Sequence, residues 1–525
     1  MMAETPAATA YAATHVPVSR IVDALRDAAQ LRHLVGALPA SITDLVDDSR
    51  RVGAGSAFLA VKGAAQDGHT WLPKAQELGA VLAIVEDEDA ALAAGLPAIV
   101  VHDGRRSAAV AAAAFHDWPA RSLTLAAVTG TNGKTTTVGL LRHLLDGGGA
   151  TSASIGTLGV LIGSSGTEMP GGSGLTTPGP VELQRVLRAL VDRGVTHVAM
   201  ETSSHALHQH RVDGVQFAAA VFTNLTRDHL DYHGTMDAYR DAKLELLPLL
   251  AADGTACFNI DDPTWRDAVA TGGVAAGSRH VTFSGTHDAD IAAQDVSFDA
   301  TGSHFVLTVR DDTGMTRHEV SLPLIGDFNV ANALGAAAAA IAMGLPAQQV
   351  ATALSRAPQV PGRLERLRTE PTVLRDYAHT PDALERALQA VRPFTLRPDG
   401  APSRLIVVFG CGGDRDRGKR PVMGGIAEQL ADVTIVTSDN PRTEDPERIL
   451  DDIEAGMTRR DHRRIVDRRE AIAEALRIAS AHDVVVLAGK GHETYQIRGT
   501  TSYPFDERTI VKELWEAMTA EEGTS

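Results

Sequence analysis

The sequence predicts an α/β protein of three domains, built around mostly parallel sheets. Short apolar runs of the length of buried strands alternate with longer stretches that carry apolar residues at helical spacing. The 525 residues exceed what one core of about 100–200 residues accommodates. Aromatic residues make up only 4%, and abundant Ala and Gly favour helices packed closely on sheets over an all-β sandwich.

Composition excludes several classes of protein. The 49 basic and 66 acidic residues give a formal net charge of −17, whereas a nucleic-acid-binding surface needs a surplus of Lys and Arg. Cys257 and Cys411 are too few for a disulfide framework or a four-thiolate zinc site. The sequence has no apolar run of about 18 residues and no signal-peptide pattern before Arg20. We therefore expect a cytoplasmic protein that binds no nucleic acid and does not insert into a membrane, and we expect it to be a monomer.

The first part of the chain divides into a lead-in and a small α/β block. Residues 1–19 are predicted to be disordered. Residues 20–120 hold apolar runs at 56–61, 80–85 and 96–101, separated by Gly-rich turns. These runs predict three strands.

The second block, residues 121–357, begins with a predicted buried strand at 123–128 that leads through a Gly-rich turn into an amphipathic helix. This is the start of a βαβ unit, and a further strand is predicted at 196–200. Residues 280–324 alternate in hydrophobicity, which predicts a small antiparallel insertion.

The third block, residues 358–525, also alternates strands with helices. Its three predicted buried strands are 405–409, 433–436 and 484–487. Such alternation predicts a doubly wound sheet whose ligands lie at the carboxyl ends of the strands.

The turn Val128-Thr-Gly-Thr-Asn-Gly-Lys-Thr-Thr-Thr137 has the features of a phosphate-binding loop. Its glycines let backbone N–H groups surround a polyphosphate, Lys134 can reach the terminal phosphates, and the Thr135 hydroxyl can bind Mg²⁺. The first glycine of the strict pattern is replaced by Val128, so an ordinary Gly-rich turn is the alternative. The predicted ATP contacts of the loop are Gly130, Thr131, Asn132, Gly133, Lys134, Thr135 and Thr136.

Acidic and basic residues after the following strands are candidates for the same site. Glu201 ends a predicted strand and could supply a Mg²⁺ ligand, although an acid there is often a solvated cap. The run Asp228-His-Leu-Asp-Tyr-His233 matches no standard zinc spacing, so a polar loop is its alternative. For Lys243 the alternative is a solvated lysine on a helix face. Cys411 follows a strand, but without a base nearby in the sequence we expect no catalytic role.

Six motifs follow one another along the chain: Thr129-Gly-Thr-Asn-Gly-Lys-Thr135, Glu201-Thr-Ser-Ser-His-Ala-Leu207, His229-Leu-Asp-Tyr-His-Gly-Thr-Met236 with Ala242-Lys243, Gly326-Asp-Phe-Asn-Val-Ala-Asn332, Pro361-Gly-Arg-Leu-Glu365 and Asp376-Tyr-Ala-His-Thr-Pro381. In this order they resemble the ATP-dependent muramyl-peptide ligases of peptidoglycan synthesis. The resemblance runs over nearly the whole chain, and the phosphate loop of that family shares the missing first glycine.

The resemblance implies a role for each block. Residues 20–120 would form a UDP-muramyl substrate-binding domain, with Ser49 as a uridine contact. Residues 121–357 would form a central P-loop ATP-binding domain. Residues 358–525 would form a Rossmann-like domain that binds the incoming amino acid, and the segment 358–362 is the candidate hinge about which this domain closes.

The resemblance also implies three sets of contacts. Outside the loop, the residues expected to contact ATP are Asn332, Arg363 and Asp376. Those expected to contact the UDP-muramyl dipeptide, besides Ser49, are Thr176, Thr177, Ser203, Gln209 and Arg211. Those expected to contact diaminopimelate are Arg415, Asp439, Asn440, Pro441, Arg442, Gly489 and Glu493. Asp439-Asn-Pro-Arg442 is the form found in relatives that add meso-2,6-diaminopimelate, whereas lysine-adding relatives differ at the arginine.

The implied reaction uses ATP as co-substrate to phosphorylate the free carboxylate of a D-glutamyl residue, and the amine of diaminopimelate then attacks the acyl phosphate. Two Mg²⁺ ions are implied, with Thr135, Glu201, His229 and Lys243 as their ligands. Lys243 would act as a carbamate formed with CO₂ (N6-carboxylysine), and Lys134, Lys243 and His229 would be the catalytic residues.

Two other classes of function stay open on the sequence. The chemistry could be the same with L-lysine as nucleophile, or with a folate or polyglutamate as acceptor. Alternatively, the chain could be a nucleotide-binding regulatory protein that does not ligate. Intact Lys134, Glu201, His229 and Lys243 argue against the second, because a degenerate relative would be expected to lose some of them.

Overall fold

The computed structural model describes residues 15–63, 66–171, 174–272, 279–299, 301–311, 314–395, 403–459 and 461–522. The chain divides into two compact units, one formed by residues 1–284 and 335–350, the other by residues 285–334 and 351–525. These units do not correspond one to one with the three predicted blocks, whose boundaries stay predictions.

The first unit is α/β throughout. Its strands are β1 Val16–Pro17, β2 Leu31–Val35, β3 Ser41–Ile42, β4 Leu45–Val46, β5 Ala57–Leu59, β6 Leu82–Val85, β7 Ala98–Val101, β8 Thr124–Thr129, β9 Ser152–Gly156, β10 Gly159–Ile162, β11 Thr167–Met169, β12 His197–Glu201, β13 Phe217–Phe222, β14 Leu250–Asn259 and β15 Arg279–Ser284. Its helices are α1 Val18–Asp27, α2 Leu72–Glu77, α3 Glu88–Ala93, α4 Gly104–Phe115, α5 Lys134–Gly147, α6 Pro180–Asp192, α7 Ser204–His208, α8 Leu230–His233, α9 Met236–Leu244 and α10 Pro263–Ala270.

Two further helices contain residues of both units. They are α11 Asp327–Ala342 and α12 Ala347–Leu354.

The start of the chain is more ordered than the sequence predicts. Val16–Pro17 forms β1 and α1 begins at Val18, both inside the segment 1–19 that was expected to be disordered. The helix forms there because Val18, Ile21, Val22 and Leu25 lie on one face and are buried. Residues 1–14 of that segment lie outside the described residues.

Strand order in the first unit places the candidate site. A small sheet has the order β2-β7-β6-β5-β4, and only β2 runs antiparallel to its neighbour. In the larger sheet, β9, β12, β8, β13, β14 and β15 are parallel neighbours in that order, and β10 and β11 continue antiparallel beyond β9. The carboxyl ends of β8, β12 and β13 therefore lie side by side, where an α/β sheet binds its ligands.

The core of the larger sheet contains a cluster of three aromatic side chains. The rings of Phe222 and Phe258 stack with centroids 4.6 Å apart, and Trp265 meets Phe222 edge to face at 5.3 Å. All three side chains are buried. Aromatic pairs of this kind add about 0.5–1.5 kcal/mol each to the burial of their apolar area.

The second unit has the strands β16 Ile291–Asp299, β17 Gly302–Asp311, β18 Gly314–Leu322, β19 Glu365–Thr369, β20 Thr372–Asp376, β21 Leu405–Phe409, β22 Val433–Val436, β23 Arg463–Arg464, β24 Val484–Ala488, β25 Tyr495–Arg498 and β26 Thr501–Pro504. Its helices are α13 Pro381–Val391, α14 Lys419–Leu430, α15 Pro446–Glu454, α16 Arg468–Ile478 and α17 Glu507–Glu522.

The described strands of this unit pair in three groups. Strands β16, β17 and β18 form an antiparallel meander. The main sheet has the order β19-β20-β24-β21-β22-β23, and only β19 is antiparallel to its neighbour. Strands β25 and β26 form a hairpin.

The structure confirms the predicted α/β class with mostly parallel sheets, and it confirms the antiparallel insertion over β16, β17 and β18 but corrects its first strand. Antiparallel pairing was expected over residues 280–324. Arg279–Ser284 instead pairs in parallel with β14, because an alternating run identifies a strand without fixing the direction of its partner. In the described part of the chain, no helix is long and apolar enough to cross a bilayer.

Candidate active site

The predicted phosphate loop joins β8 to α5. Gly130 and Gly133 have positive φ angles of 146° and 87°, which favour glycine. A Cβ at Gly130 would overlap the hydroxyl oxygen of Thr223. α5 begins at Lys134, so the loop leads directly into a helix N-terminus, which favours anions.

The loop is held by the two residues that follow β13. The Thr223 hydroxyl donates to the carbonyl of Asn132 at 2.7 Å. The Asn224 carbonyl accepts from the Thr131 N–H at 2.9 Å, and its side-chain oxygen accepts from the Asn132 N–H at 2.9 Å. These bonds fix the backbone of the loop before any ligand binds.

Lys134 lies along its own loop. Its Nζ donates to the carbonyls of Gly130 and Thr131, both at 2.9 Å. Thr135 is buried in the first turn of α5. In this structure the Lys134 amine is bonded to carbonyls of its own loop. It therefore lies inside the loop, where a phosphate would bind.

Glu201 ends β12, where it lies in register beside Val128 of β8. It is 1% exposed. Its carboxylate accepts from the Thr157 N–H at 2.8 Å and from the Thr157 hydroxyl at 3.2 Å. A carboxylate has about four lone-pair positions, so capacity for a hard cation such as Mg²⁺ remains, and the residue is not a solvated cap.

Lys243 lies in the last turn of α9 and is 1% exposed. Its Nζ lies 4.3 Å from the centroid of the Tyr239 ring. Burial lowers the pKa of the amine well below its usual value; the nearby charge of Lys134 acts in the same direction, and Asp228 opposes both. The alternative of a solvated lysine on a helix face is therefore wrong.

His229 precedes α8 with a positive φ of 52°. Its N–H donates to Asp228 Oδ1 at 2.8 Å. Burial lowers the pKa of its imidazole, Asp228 raises it, and Lys134 and Lys243 lower it, so the neutral ring that a metal ligand needs is favoured. Among the described residues, no three His, Cys, Asp or Glu side chains form a ready-made metal group.

His205 packs against both His229 and Tyr232. The ring centroids of His205 and His229 are 4.7 Å apart and perpendicular, and those of His205 and Tyr232 are 4.2 Å apart. Burial, with the neighbouring histidines, lowers the pKa of His205 to about 4. His205 is thus neutral at pH 7.

Four of the residues predicted to contact the muramyl dipeptide form one hydrogen-bonded group: Thr177, Ser203, Gln209 and Arg211. The Thr177 hydroxyl donates to the Glu201 carbonyl at 3.0 Å and accepts from the Ser203 N–H at 3.0 Å. Arg211 donates to the Thr177 carbonyl at 3.1 Å and to Gln209 Oε1 at 2.7 Å. Thr176 lies between β11 and α6, and its hydroxyl oxygen is 3.3 Å from that of Thr157.

Ser49 lies apart from this group in a short 3₁₀ helix after β4. Asp48 caps that helix by accepting from the Arg50 N–H at 2.9 Å and pairs with the Arg50 guanidinium. The uridine contact of Ser49 stays a prediction.

Three predicted ATP contacts belong to the second unit. Asn332 Nδ2 donates to Asn329 Oδ1 at 3.1 Å. Asp376 ends β20 and accepts from the N–H groups of Leu364 and Ala378 at 2.6 and 2.8 Å. Burial raises the pKa of Asp376, and the nearby Arg363 opposes that rise. Their role in ATP binding stays a prediction.

Five residues predicted for the amino-acid pocket lie at the carboxyl ends of β22 and β24; these are Asp439, Asn440, Pro441, Gly489 and Glu493. Asn440 Nδ2 donates to Glu493 Oε2 at 2.9 Å. Lys490 is fully buried and donates to Asn440 Oδ1 at 3.2 Å and Glu493 Oε2 at 3.1 Å. Lys490 thereby holds Asn440 and Glu493 in place. The sequence analysis did not name Lys490 as a site residue.

Arg442 has a positive φ of 51° and donates from Nη1 to the Gly413 carbonyl at 2.9 Å. It lines a cavity of about 810 Å³ together with Pro441, Asp467 and Arg498. Asp439, Asn440, Gly489 and Glu493 are not among the residues that line it. Arg415 is exposed and donates to the Asp414 carbonyl at 3.1 Å, so the structure brings Arg442, but not Arg415, to this cavity.

Both cysteines are buried. Burial raises the pKa of the Cys257 and Cys411 thiols to about 12, so neither forms much thiolate at neutral pH. Cys411 Sγ lies 3.7 Å from the sulfur of Met423, which makes it a core residue.

Sequence reasoning missed several residues of the site. Asn224 comes just after the end of β13, and Glu201 ends β12, so the rule that ligands bind at strand ends could have identified Asn224. Thr157 and Tyr239 carried no such signal, because a threonine in a turn and a tyrosine on a helix are common in any fold. Only the three-dimensional structure shows their contacts.

Three protein-family models match the chain. They are the Mur ligase family catalytic domain over residues 42–117, the Mur ligase middle domain over residues 128–340 and the Mur ligase glutamate ligase domain over residues 362–491. The chain belongs to the Mur ligase family, and the predicted three-domain architecture is confirmed.

Within this family, the chain is similar to ligases of one particular name. The chain is 44% identical over 479 residues to the UDP-N-acetylmuramoyl-L-alanyl-D-glutamate–2,6-diaminopimelate ligase of Gloeobacter violaceus, covering 90% of this chain and 93% of the relative. It is 42% identical over 484 residues to the enzyme of the same name from Geobacillus kaustophilus, covering 90% and 94%. A solved structure of a ligase with this name is 34% identical, covers 91% of this chain and 96% of its own, and superimposes with a TM-score of 0.64.

Proposed function

We propose that the protein is an ATP-dependent, ADP-forming ligase of peptidoglycan precursor synthesis. It joins meso-2,6-diaminopimelate to UDP-N-acetylmuramoyl-L-alanyl-D-glutamate. The observation that carries the proposal is the meeting of a phosphate loop, a buried Glu201 and a buried Lys243 in one site. The substrates are those named for its relatives of more than 40% identity.

The reaction has two steps. An oxygen of the D-glutamyl carboxylate attacks the γ-phosphorus of ATP, the bond to the β–γ bridging oxygen breaks, and ADP leaves. The amine of diaminopimelate then attacks the acyl carbon, phosphate leaves with the carbon–oxygen bond pair, and the amine loses a proton. Because two anions meet in the first step, charge neutralisation and alignment supply most of the rate enhancement.

The phosphate loop would supply part of that neutralisation. The N–H groups at the start of α5 face the anion, and Lys134 would exchange its bonds to the Gly130 and Thr131 carbonyls for bonds to phosphate oxygens. Thr135 and Glu201 offer the oxygen ligands that Mg²⁺ prefers. A bound Mg²⁺ neutralises charge on the transferring phosphoryl group.

Lys243 is proposed to act as a carbamate. An ammonium would repel a cation near the γ-phosphate, whereas a carbamate presents carboxylate-like oxygens on a long stem. Formation needs the neutral amine, which the lowered pKa of Lys243 favours. With His229 it would hold a second Mg²⁺.

The acceptor and the nucleophile have separate proposed sites. The hydrogen-bonded group around Thr177 and Arg211 offers hydroxyls, amides and one guanidinium for the muramyl dipeptide. The Arg442 guanidinium, at the wall of its cavity, would hold the distal carboxylate of diaminopimelate, which lysine lacks.

The test is phosphate release from ATP with the UDP-muramyl dipeptide and either meso-diaminopimelate or L-lysine at equal concentration. We expect release with diaminopimelate and much less with lysine. Equal rates of phosphate release with the two amino acids would mean that Arg442 does not select diaminopimelate over lysine. No amino-acid-dependent release with any nucleophile would overturn the ligase function and favour a regulatory nucleotide-binding protein.

A further inference from the structure

Tyr239 lies between the phosphate loop and Lys243. We propose that Tyr239 is a positioning residue that joins the two, its hydroxyl holding Thr131 and its ring carrying the Lys243 side chain. The importance of this link for the reaction rests on the proposed function, since only there do the loop and Lys243 act on one phosphate.

The ring is the first part of the argument. Tyr239 and Lys243 are four residues apart on α9 and therefore share a helix face. Both side chains are 1% exposed, and Nζ lies 4.3 Å from the ring centroid. Among the described residues this amine makes no ion pair, and the ring face packs against it.

The hydroxyl is the second part. Tyr239 Oη lies 3.2 Å from Thr131 Oγ1. Thr131 donates its single hydroxyl proton to the Thr226 carbonyl at 3.2 Å and accepts from the Thr226 N–H at 3.0 Å. Because a hydroxyl has one proton and two acceptor positions, Tyr239 must be the donor to Thr131.

Thr131 also connects to the other lysine of the site. Its carbonyl accepts from Lys134 Nζ at 2.9 Å. A continuous path thus runs from Lys134 through Thr131 and Tyr239 to Lys243. When Lys134 turns to phosphate it leaves this path, but the bond between Tyr239 and Thr131 still holds the loop beside the side chain proposed to become a carbamate.

The hydroxyl is tested with Tyr239→Phe, which keeps the ring and removes one donated hydrogen bond. We expect Mg·ADP, measured by calorimetry, to bind about three- to tenfold more weakly, the range for one neutral hydrogen bond. Thr131→Val should weaken binding too, and the double variant should be no weaker than the poorer single variant. Tyr503→Phe, at an exposed tyrosine of β26, is the matched control and should bind as the unaltered protein does.

The ring is tested by carbon-13 NMR of protein equilibrated with labelled CO₂, which detects a lysine carbamate without any turnover. Tyr239→Phe should keep that signal. Tyr239→Leu should lose at least half of it while still melting cooperatively. If the Leu variant does not fold, the Phe and Thr131→Val binding data decide the proposal.

Additive effects of Tyr239→Phe and Thr131→Val, or unchanged Mg·ADP binding in both, would refute the link through the hydroxyl. A full carbamate signal in a folded Tyr239→Leu variant would refute the role of the ring. Failure of the ligase function is a separate result, because it appears in the unaltered protein as missing diaminopimelate-dependent phosphate release, whereas these measurements use neither acceptor nor nucleophile.

Discussion

The carboxylate of Glu201 occupies the space where a side chain at Gly156 would project. A Cβ at Gly156 would overlap Oε1 of Glu201, so the last residue of β9 and the last residue of β12 fit together only when the first has no side chain. The absence of a side chain at Gly156 therefore helps to set the position of the Glu201 carboxylate.

Gly156→Ala should disable the enzyme without unfolding it. The added methyl displaces Glu201 and breaks its bonds to Thr157, so the Mg²⁺ concentration needed for half-maximal activity should rise and turnover should fall by about 10²-fold. Gly53→Ala, where a Cβ would meet no atom within 4 Å, is the control. Normal Mg²⁺ dependence in Gly156→Ala would show that Glu201 does not bind the metal.

Lys134→Ala should abolish turnover while leaving the fold intact. The lysine is only partly buried, and its two bonds to loop carbonyls contribute little to stability against water. We expect a loss of about 10³-fold in kcat and a melting temperature close to that of the unaltered protein. A large drop in ligand-free melting temperature would instead identify a structural lysine.

Lys243→Ala should lose activity that small carboxylates restore in part. Formate or acetate can occupy the oxygen positions of the missing carbamate, whereas chloride at equal ionic strength cannot. Steady-state rates with each salt are the measurement. An absence of rescue at every carboxylate concentration, together with a bare amine in a Mg²⁺-loaded crystal, would exclude the carbamate.

Stability should depend on pH through Lys243. Its folded pKa lies below the unfolded value, so the unfolded chain binds a proton more tightly and the buried amine lowers stability as pH falls from the unfolded pKa toward the folded one. In CO₂-free buffer, Lys243→Met should therefore melt at a higher temperature than the unaltered protein at pH 7, and the difference should shrink toward pH 10. A constant difference across that range would contradict the lowered pKa.

Arg442→Ala should raise the KM for diaminopimelate by about 10- to 100-fold, corresponding to the roughly 1.5–3 kcal/mol of a charge-assisted hydrogen bond. The KM for ATP should change little. Arg469→Ala removes an exposed arginine that pairs with Glu513 and serves as control. Equal increases in both KM values would mean that Arg442, with its bond to the Gly413 carbonyl, is structural.

The sequence predicts strands well where apolar residues are continuous. The runs 405–409 and 433–436 match β21 and β22 at both ends, because polar residues bound them. Motifs identify Lys134 and Glu201 because phosphate binding favours a lysine in the loop and Mg²⁺ binding favours a carboxylate at the end of a neighbouring strand. The sequence could not reveal that Lys243 is buried or that Thr157 holds Glu201, since both depend on contacts between distant segments.

The hydroxyl of Thr157 donates to Glu201, so toward Thr176 it has only a lone pair to offer. While both hydrogen bonds are formed, the Thr176 hydroxyl must therefore donate to the Thr157 oxygen. An acceptor substrate that takes the Thr176 proton changes the surroundings of the carboxylate proposed to bind the metal, and a metal on that carboxylate changes Thr176 in return. By thermodynamic reciprocity, the affinity for the muramyl dipeptide and the affinity for Mg·ATP should each depend on the other by the same factor.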